Sequence, residues 1–260
     1  MQRSENRVAL VTGASSGIGA AFVKALALRG YRVVLVGRER ERLQRNADAA
    51  QHVGISHEVM EADLITRAGR DAVCARLEEG VDLLVNAAGL GLSGAFWTVP
   101  RADLIGQLDV NVTAMMETTR AALGPMVDAG RGAIINVSSI TGLVPGRGAT
   151  YAASKAWAVF FTEGLAPTLE GTGVQMQVLC PGFVRTEFHA RAGIDLTSMS
   201  NRWWMEARDV AHRSLVDLDR GRTLSIPGLG YRILYGLLPK LPRHLGQKLN
   251  RTIGNSSVRS

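Results

Sequence analysis

Cysteine is scarce in this 260-residue sequence, and histidine is never clustered. Its two cysteines, Cys74 and Cys180, are too few for a disulfide framework or for a zinc site built from four cysteines. The five histidines are scattered, and no spacing among them suggests a metal site. We therefore expect no bound metal. The low cysteine content is typical of a reducing cytoplasmic compartment.

Long hydrophobic segments are also lacking. No apolar run reaches the about 18–20 residues that a helix needs to cross a bilayer. Residues 1–7 carry no apolar stretch of the kind that marks a secretory signal, so we expect a cytoplasmic protein. Because repeats and low-complexity linkers are absent, we expect one domain over residues 1–228. Residues 229–260 are then a C-terminal extension.

Acidic residues are absent from the end of the chain. From Arg220 to Ser260 there are eight Lys or Arg and no Asp or Glu, although the net charge of the whole chain is only +7. No aromatic-interleaved basic patch accompanies them, so nucleic-acid binding is not expected. Leucines at near-helical spacing suggest either an interfacial helix on anionic lipid or a segment that packs on the domain or on a neighbouring subunit: Leu234, Leu238, Leu241, Leu245 and Leu249. Pro239 and Pro242 interrupt any single helix, which favours packing.

Apolar runs and helix-like segments alternate along the rest of the chain. The runs at 8–11, 32–36 and 133–137 are nearly continuously apolar, as in strands that are buried on both faces. This order predicts an α/β doubly wound Rossmann fold, with a parallel sheet of about seven strands and helices on both faces.

A glycine-rich segment directly follows the first predicted strand and opens the first predicted helix. Glycine permits a tight turn and lets a pyrophosphate approach the backbone, while the helix N-terminus offers unpaired N–H groups. The segment therefore predicts a dinucleotide phosphate loop, whose candidate binding residues are Gly13, Ser15, Ser16, Gly17, Ile18 and Gly19.

The residues after the second and third predicted strands indicate which dinucleotide is bound. An NAD site usually has an acidic residue after the second strand, whereas an arginine can hold a 2′-phosphate. Arg38 occupies this position and favours NADP(H), although Glu39 beside it keeps NAD(H) as an alternative. Asp63, followed by Leu64, is placed to meet the adenine edge, and its alternative role is to cap the next helix.

Tyr151 and Lys155 form the candidate chemical centre. They are four residues apart in a predicted helix and so share one face. A tyrosine has an ordinary pKa of about 10, and a neighbouring ammonium lowers it, which suits proton transfer at an alcohol or carbonyl oxygen. The strand ending at Val137 delivers Ser138 and Ser139 to the sheet edge where ligands bind.

Together these motifs closely resemble the short-chain dehydrogenase/reductase family over roughly residues 6–228. The motifs that carry the resemblance are Thr12–Gly19, Asn86–Gly89, Asn111, Ser138–Ser139, Tyr151 with Lys155, and Pro181–Gly182 followed by Thr186. The resemblance implies that Tyr151 is the acid/base and that Lys155 holds the nicotinamide ribose and lowers the tyrosine pKa. It further implies that a serine orients the substrate carbonyl and that Asn111 supports a proton-relay water from a helix interruption.

The resemblance leaves one choice open and implies further cofactor contacts. The family's usual spacing of thirteen residues before the tyrosine selects Ser138, whereas the pattern Asn-x-Ser-Ser-x-x-Gly over residues 136–142 selects Ser139. We favour Ser139 and interpret the loop at 143–150 as one residue short. The implied cofactor contacts, besides Tyr151 and Lys155, are Asn86, Ala87, Gly89, Pro181, Gly182, Val184 and Thr186.

Bulky apolar residues follow the carboxyl ends of several predicted strands. They suggest a lid over a bulky apolar or acyl-type ketone or secondary alcohol, or else residues that pack the lid on the body: Phe96, Val144, Phe183, Phe188, Trp203 and Trp204. A homodimer or homotetramer is implied by the resemblance. The alternative function is a catalytically silent dinucleotide-binding sensor or scaffold, although such proteins usually lose the tyrosine or the lysine.

Overall fold

The computed structural model describes residues 7–51, 56–143, 149–194 and 200–237. Its main sheet has seven parallel strands in the order β3-β2-β1-β4-β5-β6-β9. These strands are β1 (Val8–Thr12), β2 (Arg32–Gly37), β3 (Glu58–Glu61), β4 (Leu83–Asn86), β5 (Gly132–Val137), β6 (Val174–Leu179) and β9 (Leu224–Ser225). A small parallel pair, β7 (Phe183–Arg185) with β8 (Trp204–Glu206), lies outside this sheet. The predicted doubly wound fold is confirmed.

Nine α-helices occur in the described part of the chain. They are α1 (Gly17–Leu28), α2 (Arg40–Ala50), α3 (Arg67–Glu78), α4 (Arg101–Leu108), α5 (Met115–Asp128), α6 (Ala149–Leu165), α7 (Phe188–Arg191), α8 (Ala207–Asp219) and α9 (Leu229–Leu237). Helices α1, α2 and α8 pack on one face of the sheet, and α3 and α5 pack on the other. Helices α4 and α5 follow one another without a loop and are separated by a π-helical turn, Asp109–Ala114.

Burial on both faces explains why the strands are mostly apolar. In β1, Ala9 and Val11 pack toward α1, whereas Leu10 packs toward α3 and α5, and all three are fully buried. Successive side chains of a strand point to opposite faces, so a strand that is covered twice takes a polar residue only where that residue finds a hydrogen-bond partner, as Asn86 of β4 does with Asn136 of β5.

The order of the strands determines where a cleft opens. Strand β1 pairs with β2 on one side and with β4 on the other, so the chain winds outward in both directions from this point. In open parallel sheets such a reversal leaves a crevice beyond the carboxyl ends of the strands. The glycine-rich segment follows β1 and therefore lies at this crevice.

The predicted C-terminal extension begins with α9. Within it, Tyr231 is 6% exposed and packs with Val159 and Val178, while Leu229 and Ile233 are exposed. The side chain of Leu234 and residues Leu238, Leu241, Leu245 and Leu249 lie outside the described residues. Among the helices that are described, none is long and apolar enough to cross a membrane.

Candidate active site

The carboxyl edge of the sheet holds a cleft of about 1140 Å³. Most of the predicted site residues line it: Gly13, Ser15, Ser16, Gly17, Ile18, Gly19, Arg38, Asp63, Leu64, Ala87, Gly89, Phe96, Ser139, Tyr151, Lys155, Pro181, Gly182, Phe183, Val184, Thr186 and Phe188. Four predicted residues do not line it, namely Asn86, Asn111, Trp203 and Trp204. Val144 lies outside the described residues.

The glycine-rich loop is shaped for close approach of a ligand to its backbone. Gly13 and Gly17 have φ of +66° and +56°, a conformation that favours glycine. A side chain at Gly13 would lie 2.8 Å from the Ala88 amide nitrogen, and one at Gly19 would overlap the Gly13 carbonyl. Helix α1 begins at Gly17 with no acidic residue in its first turn, so its free N–H groups can bind an anion.

Thr12 joins the loop to the neighbouring strand, a role that the sequence analysis did not assign. Its hydroxyl oxygen accepts hydrogen bonds from the amides of Ala87 and Ala88, each at 3.1 Å. These bonds hold the ends of β1 and β4 together beneath the cleft. A threonine directly before the first glycine of the loop is the only sequence signal of this contact.

Asn86 supports the sheet rather than facing the cleft. It is 3% exposed, and its amide donates to Asn136 Oδ1 at 2.9 Å and to Thr119 Oγ1 at 3.2 Å. Its side-chain oxygen, Oδ1, accepts a hydrogen bond from the Thr118 hydroxyl at 2.9 Å. Because the side chain is buried in this network, the structure offers no support for the predicted cofactor contact of Asn86.

One end of the cleft carries Arg38, which is exposed and has no ion pair among the described residues. Glu39, because of which NAD(H) is the alternative cofactor, forms ion pairs with Arg42 at 2.9 Å and with Arg191 at 3.5 Å. Asp63 lines the cleft and accepts a hydrogen bond from the Ile65 amide at 3.0 Å. Its alternative role is wrong, because Thr66 is the residue that caps α3.

Tyr151 and Lys155 meet at the other end of the cleft. The Lys155 Nζ lies 5.7 Å from the centre of the Tyr151 ring and donates a 2.9 Å hydrogen bond to the Val137 carbonyl. The hydroxyl of Ser139 is hydrogen-bonded to the Tyr151 phenol. The Ser138 hydroxyl instead donates to the Lys155 carbonyl at 2.6 Å and is 2% exposed. Ser139 is therefore the serine beside the tyrosine, and Ser138 fastens β5 to α6.

Burial dominates the ionisation of this pair. It raises the pKa of Tyr151 to about 12, although the hydrogen bond from Ser139 opposes the rise. Burial also lowers the pKa of Lys155 to about 8. The shift of Tyr151 is opposite to the sequence-based expectation, in which Lys155 lowers it. The phenol is accordingly protonated at neutral pH and can donate a proton.

Asn111 occupies the middle of the π-helical turn, where the family resemblance implies a helix interruption. It is fully buried; its Oδ1 accepts from the Leu90 amide at 2.8 Å, and its Nδ2 donates to the Leu90 carbonyl at 3.0 Å. A side chain at Gly89 would lie 3.4 Å from the Lys155 Nζ and 3.5 Å from the Asn111 Oδ1. Asn111 therefore positions the loop after β4 close to Lys155.

An aromatic wall faces the tyrosine. The Phe188 ring lies 5.6 Å from the Tyr151 ring, and Phe188 packs edge-on against His189, which also lines the cleft. The Nδ1 of His189 is buried without a hydrogen-bond partner among the described residues, and burial lowers the pKa of the ring. The sequence analysis did not identify His189 as part of the site, because a single histidine carries no pattern.

The two tryptophans of this region pack behind the wall. Trp204 contacts His189 and Phe183, and Trp203 contacts Tyr231. Neither tryptophan lines the cleft, so these contacts favour the packing alternative, and a contact of Trp203 or Trp204 with substrate stays a prediction. The exposed apolar side chains at the cleft mouth are instead Phe96 and Trp97, which are 60% and 85% exposed.

Tyr231 of α9 completes the site from behind, and the sequence analysis gave it no role there. Its hydroxyl accepts from the Phe183 amide at 3.1 Å and donates to the Trp203 carbonyl at 2.8 Å. Its ring lies where any side chain at Gly182 would be. Tyr231 therefore links α9 to Phe183 and to Trp203, next to the loop that carries Pro181 and Gly182.

Comparisons with known proteins agree with this geometry. The family model of short chain dehydrogenases matches residues 7–196. An uncharacterized oxidoreductase of Myxococcus xanthus is 40% identical over 197 residues, which are 73% of this chain and 77% of that protein. A solved structure of a short-chain dehydrogenase from Sphingobium yanoikuyae in complex with NADPH is 34% identical, with a TM-score of 0.84 over 92% of this chain and 94% of that one. The bulky-bulky ketone specific alcohol dehydrogenase from Comamonas testosteroni is 27% identical, with a TM-score of 0.78 over 92% and 96% of the two chains.

Proposed function

The chain belongs to the short-chain dehydrogenase/reductase family of oxidoreductases, and from this premise we propose that it is NADP(H)-dependent and acts on a ketone or secondary alcohol. One observation carries the proposal. Tyr151, Lys155 and Ser139 meet at one end of a cleft whose other end holds the glycine-rich loop and Arg38.

The residues of the cleft fit a nicotinamide dinucleotide. The loop from Gly13 to Gly19 leaves room for a pyrophosphate, and the α1 N-terminus offers N–H groups to it. Arg38, which has no ion pair within the described part of the chain, favours a 2′-phosphate, and the similar Sphingobium enzyme is in complex with NADPH. NAD(H) is the alternative cofactor. When bound, the nicotinamide supplies or accepts the hydride.

Tyr151 is the proton donor in the reductive direction. Its pKa of about 12 keeps it protonated at neutral pH, and Ser139 beside it can hydrogen-bond to the same substrate oxygen. In the oxidative direction the phenol must lose its proton, and the positive charges of Lys155 and of an oxidised nicotinamide favour that loss. Lys155 would also hold the nicotinamide ribose, and Asn111, in the π-helical turn, would support a proton-relay water.

The cleft mouth suits a bulky apolar carbonyl compound. Phe96, Trp97, Phe188 and Ile194 line the cleft, and the Phe188 ring lies 5.6 Å from the Tyr151 ring. The Comamonas enzyme, which is specific for bulky-bulky ketones, has a similar fold. Long-chain acyl ketones fit the same lining, whereas sugars and polyols would place many of their hydroxyl groups against apolar side chains.

A homo-oligomer is part of the proposal. Apolar side chains are exposed on three neighbouring helices, with Phe160 on α6 at 76%, Ile105 on α4 at 42% and Met116 on α5 at 44%. Such a surface favours association with a second copy. Replacing Phe160 with aspartate should therefore shift the particle mass toward the monomer in light scattering. An unchanged mass would rule out this face as the interface.

Cofactor titration followed by a carbonyl panel tests the proposed function. Nicotinamide fluorescence should show tighter binding of NADPH than of NADH, and aryl or long-chain ketones should be reduced faster than sugars. Tighter NADH binding would overturn the assignment of Arg38, and a preference for sugars would overturn the apolar substrate. A silent sensor would bind NADPH and reduce nothing in the panel; the contact between Ser139 and Tyr151 argues against it.

A further inference from the structure

Four charged residues form an ion-pair cluster across one end of the cleft, which we call the Glu39 cluster: Glu39, Arg42, Glu187 and Arg191. Arg42 binds Glu39 at 2.9 Å and Glu187 at 2.7 Å, measured between nitrogen and oxygen atoms. Arg191 binds Glu187 at 2.6 Å and Glu39 at 3.5 Å. Each carboxylate thus contacts both guanidinium groups, and the charges of the four residues cancel.

The cluster joins opposite walls of the cofactor cleft. Glu39 is the residue before α2, close after β2, and Arg42 lies in the first turn of that helix. Glu187 and Arg191 come from α7 and the residue before it, about 150 positions later in the chain. Arg191 itself lines the cleft, so the cluster reaches the cleft at the end that carries Arg38.

Glu39 would oppose an NADP site if its charge were free. It occupies the region after the second strand where an acidic residue binds the ribose hydroxyls of NAD, and a carboxylate there repels a 2′-phosphate. In this structure both of its oxygens are engaged by arginines, while Arg38 beside it has no ion pair among the described residues. The local charge that a phosphate would meet is therefore positive.

We propose that Arg42 and Arg191 are specificity-determining residues for the cofactor, because they hold the Glu39 carboxylate and thereby favour the 2′-phosphorylated form. The inference rests on the proposed NADP(H) preference. Arg42 and Arg191 act through Glu39 and are positioning residues. Arg191 lies in α7, the same short helix that carries Phe188 opposite Tyr151. The helix on the substrate side of the cleft therefore also takes part in selecting the cofactor.

Affinity ratios in a double-mutant cycle test the proposal. The dissociation constants of NADPH and NADH are measured by nicotinamide fluorescence for the wild type, Arg191→Gln, Glu39→Gln and the double variant. Arg191→Gln should reduce the preference for NADPH by roughly two- to fivefold, the range expected for a partly exposed ion pair. In the Glu39→Gln background the same substitution should change the preference by less than about 1.5-fold.

The cycle separates this mechanism from a general loss of positive charge. An equal effect of Arg191→Gln in both backgrounds would overturn the proposal, because Arg191 would then act without Glu39. Equal weakening of NADPH and NADH would also overturn it. Arg42→Gln should behave as Arg191→Gln does, and Arg191→Lys should restore part of the preference. Because the ratio compares two ligands on one protein, a partial folding defect cancels.

Arg29 provides the matched control. It forms a 3.0 Å ion pair with Asp219 and has a side chain of similar exposure, but it does not line the cleft. Arg29→Gln should leave the ratio unchanged, and a change equal to that of Arg191→Gln would overturn the proposal. A wild type that prefers NADH would refute the proposed NADP(H) function. A wild type that prefers NADPH, with variants that keep that preference, would refute this inference alone.

Discussion

Replacing Lys155 with methionine should stabilise the protein while removing its activity. Lys155 is 3% exposed, and burial lowers the pKa of its ammonium from 10.5 to about 8. Since one pKa unit corresponds to about 1.4 kcal/mol, keeping this group charged at pH 7 costs the folded state about 3 kcal/mol. Loss of the hydrogen bond to the Val137 carbonyl offsets about 1 kcal/mol of this gain. The net stabilisation of about 2 kcal/mol should raise the unfolding temperature by about 4–8 °C.

The pH dependence of this effect gives a second check on its cause. Between pH values of about 8 and 10.5, the unfolded chain binds a proton at residue 155 that the folded protein does not bind. The stability of the wild type therefore gains a contribution as pH rises through this window. The methionine variant lacks that contribution, so its advantage over the wild type should shrink between pH 7 and pH 10.

Thermal unfolding followed by circular dichroism measures both effects. Lys24, an exposed lysine on α1, supplies the matched control. Lys24→Met should change the free energy of unfolding by less than about 0.5 kcal/mol at either pH. Two outcomes would refute the idea that a desolvated ammonium at position 155 destabilises the fold. One is a Lys155→Met protein that is less stable than the wild type at pH 7, and the other is a stability difference between the two proteins that does not depend on pH.

Three further predictions concern the serines, the phosphate loop and α9. Ser139→Ala should lower kcat/KM by about a hundredfold or more, whereas Ser138→Ala should chiefly lower stability, by about 1–3 kcal/mol; the reverse pattern in steady-state kinetics and unfolding would exchange their roles. Gly19→Ala should abolish NADPH binding, because the new methyl group would overlap the Gly13 carbonyl. As a control, Gly124→Ala has open space around the new methyl group and should stabilise α5 by up to about 1 kcal/mol. Equal NADPH binding by both variants in a fluorescence titration would contradict this. Tyr231→Phe should cost about 1–2 kcal/mol in unfolding experiments and also lower turnover, since two hydrogen bonds behind the site are lost; unchanged stability would show that these bonds contribute nothing.

The sheet could be predicted from the sequence because its signals are local. Continuous apolar runs mark strands that are covered on both faces, and the glycine-rich loop identifies the first crossover. Residue patterns did not predict the π-helical turn, and only the family resemblance implied a helix interruption at Asn111. Residues 109–114 are weak helix formers except for Ala114, but weak propensity does not distinguish a π-helical turn from an ordinary helix. The shifted hydrogen-bond pattern accompanies the contacts that Asn111 makes with the Leu90 backbone.

The site was predictable only where the sequence spacing within a motif determines how its side chains are arranged. Tyr151 and Lys155 share a face because helical spacing requires it. The pKa of Tyr151 was predicted in the wrong direction, because burial depends on elements that are distant in sequence. Trp203 and Trp204 were assigned to substrate for a related reason. An apolar residue after a strand can point into the cleft or pack behind it, and only the packing of Tyr231 and His189 decides between the two.

Transfer of deuterium from NADPH labelled at the nicotinamide C4 position to a bulky ketone tests the central claim most directly. Mass spectrometry of the alcohol product should show one deuterium at the former carbonyl carbon with the wild type. Tyr151→Phe should bind NADPH with unchanged affinity and yield no labelled alcohol above background. Labelled alcohol from the Tyr151→Phe variant at the wild-type rate, or none from a wild type that binds NADPH and the ketone, would contradict the account.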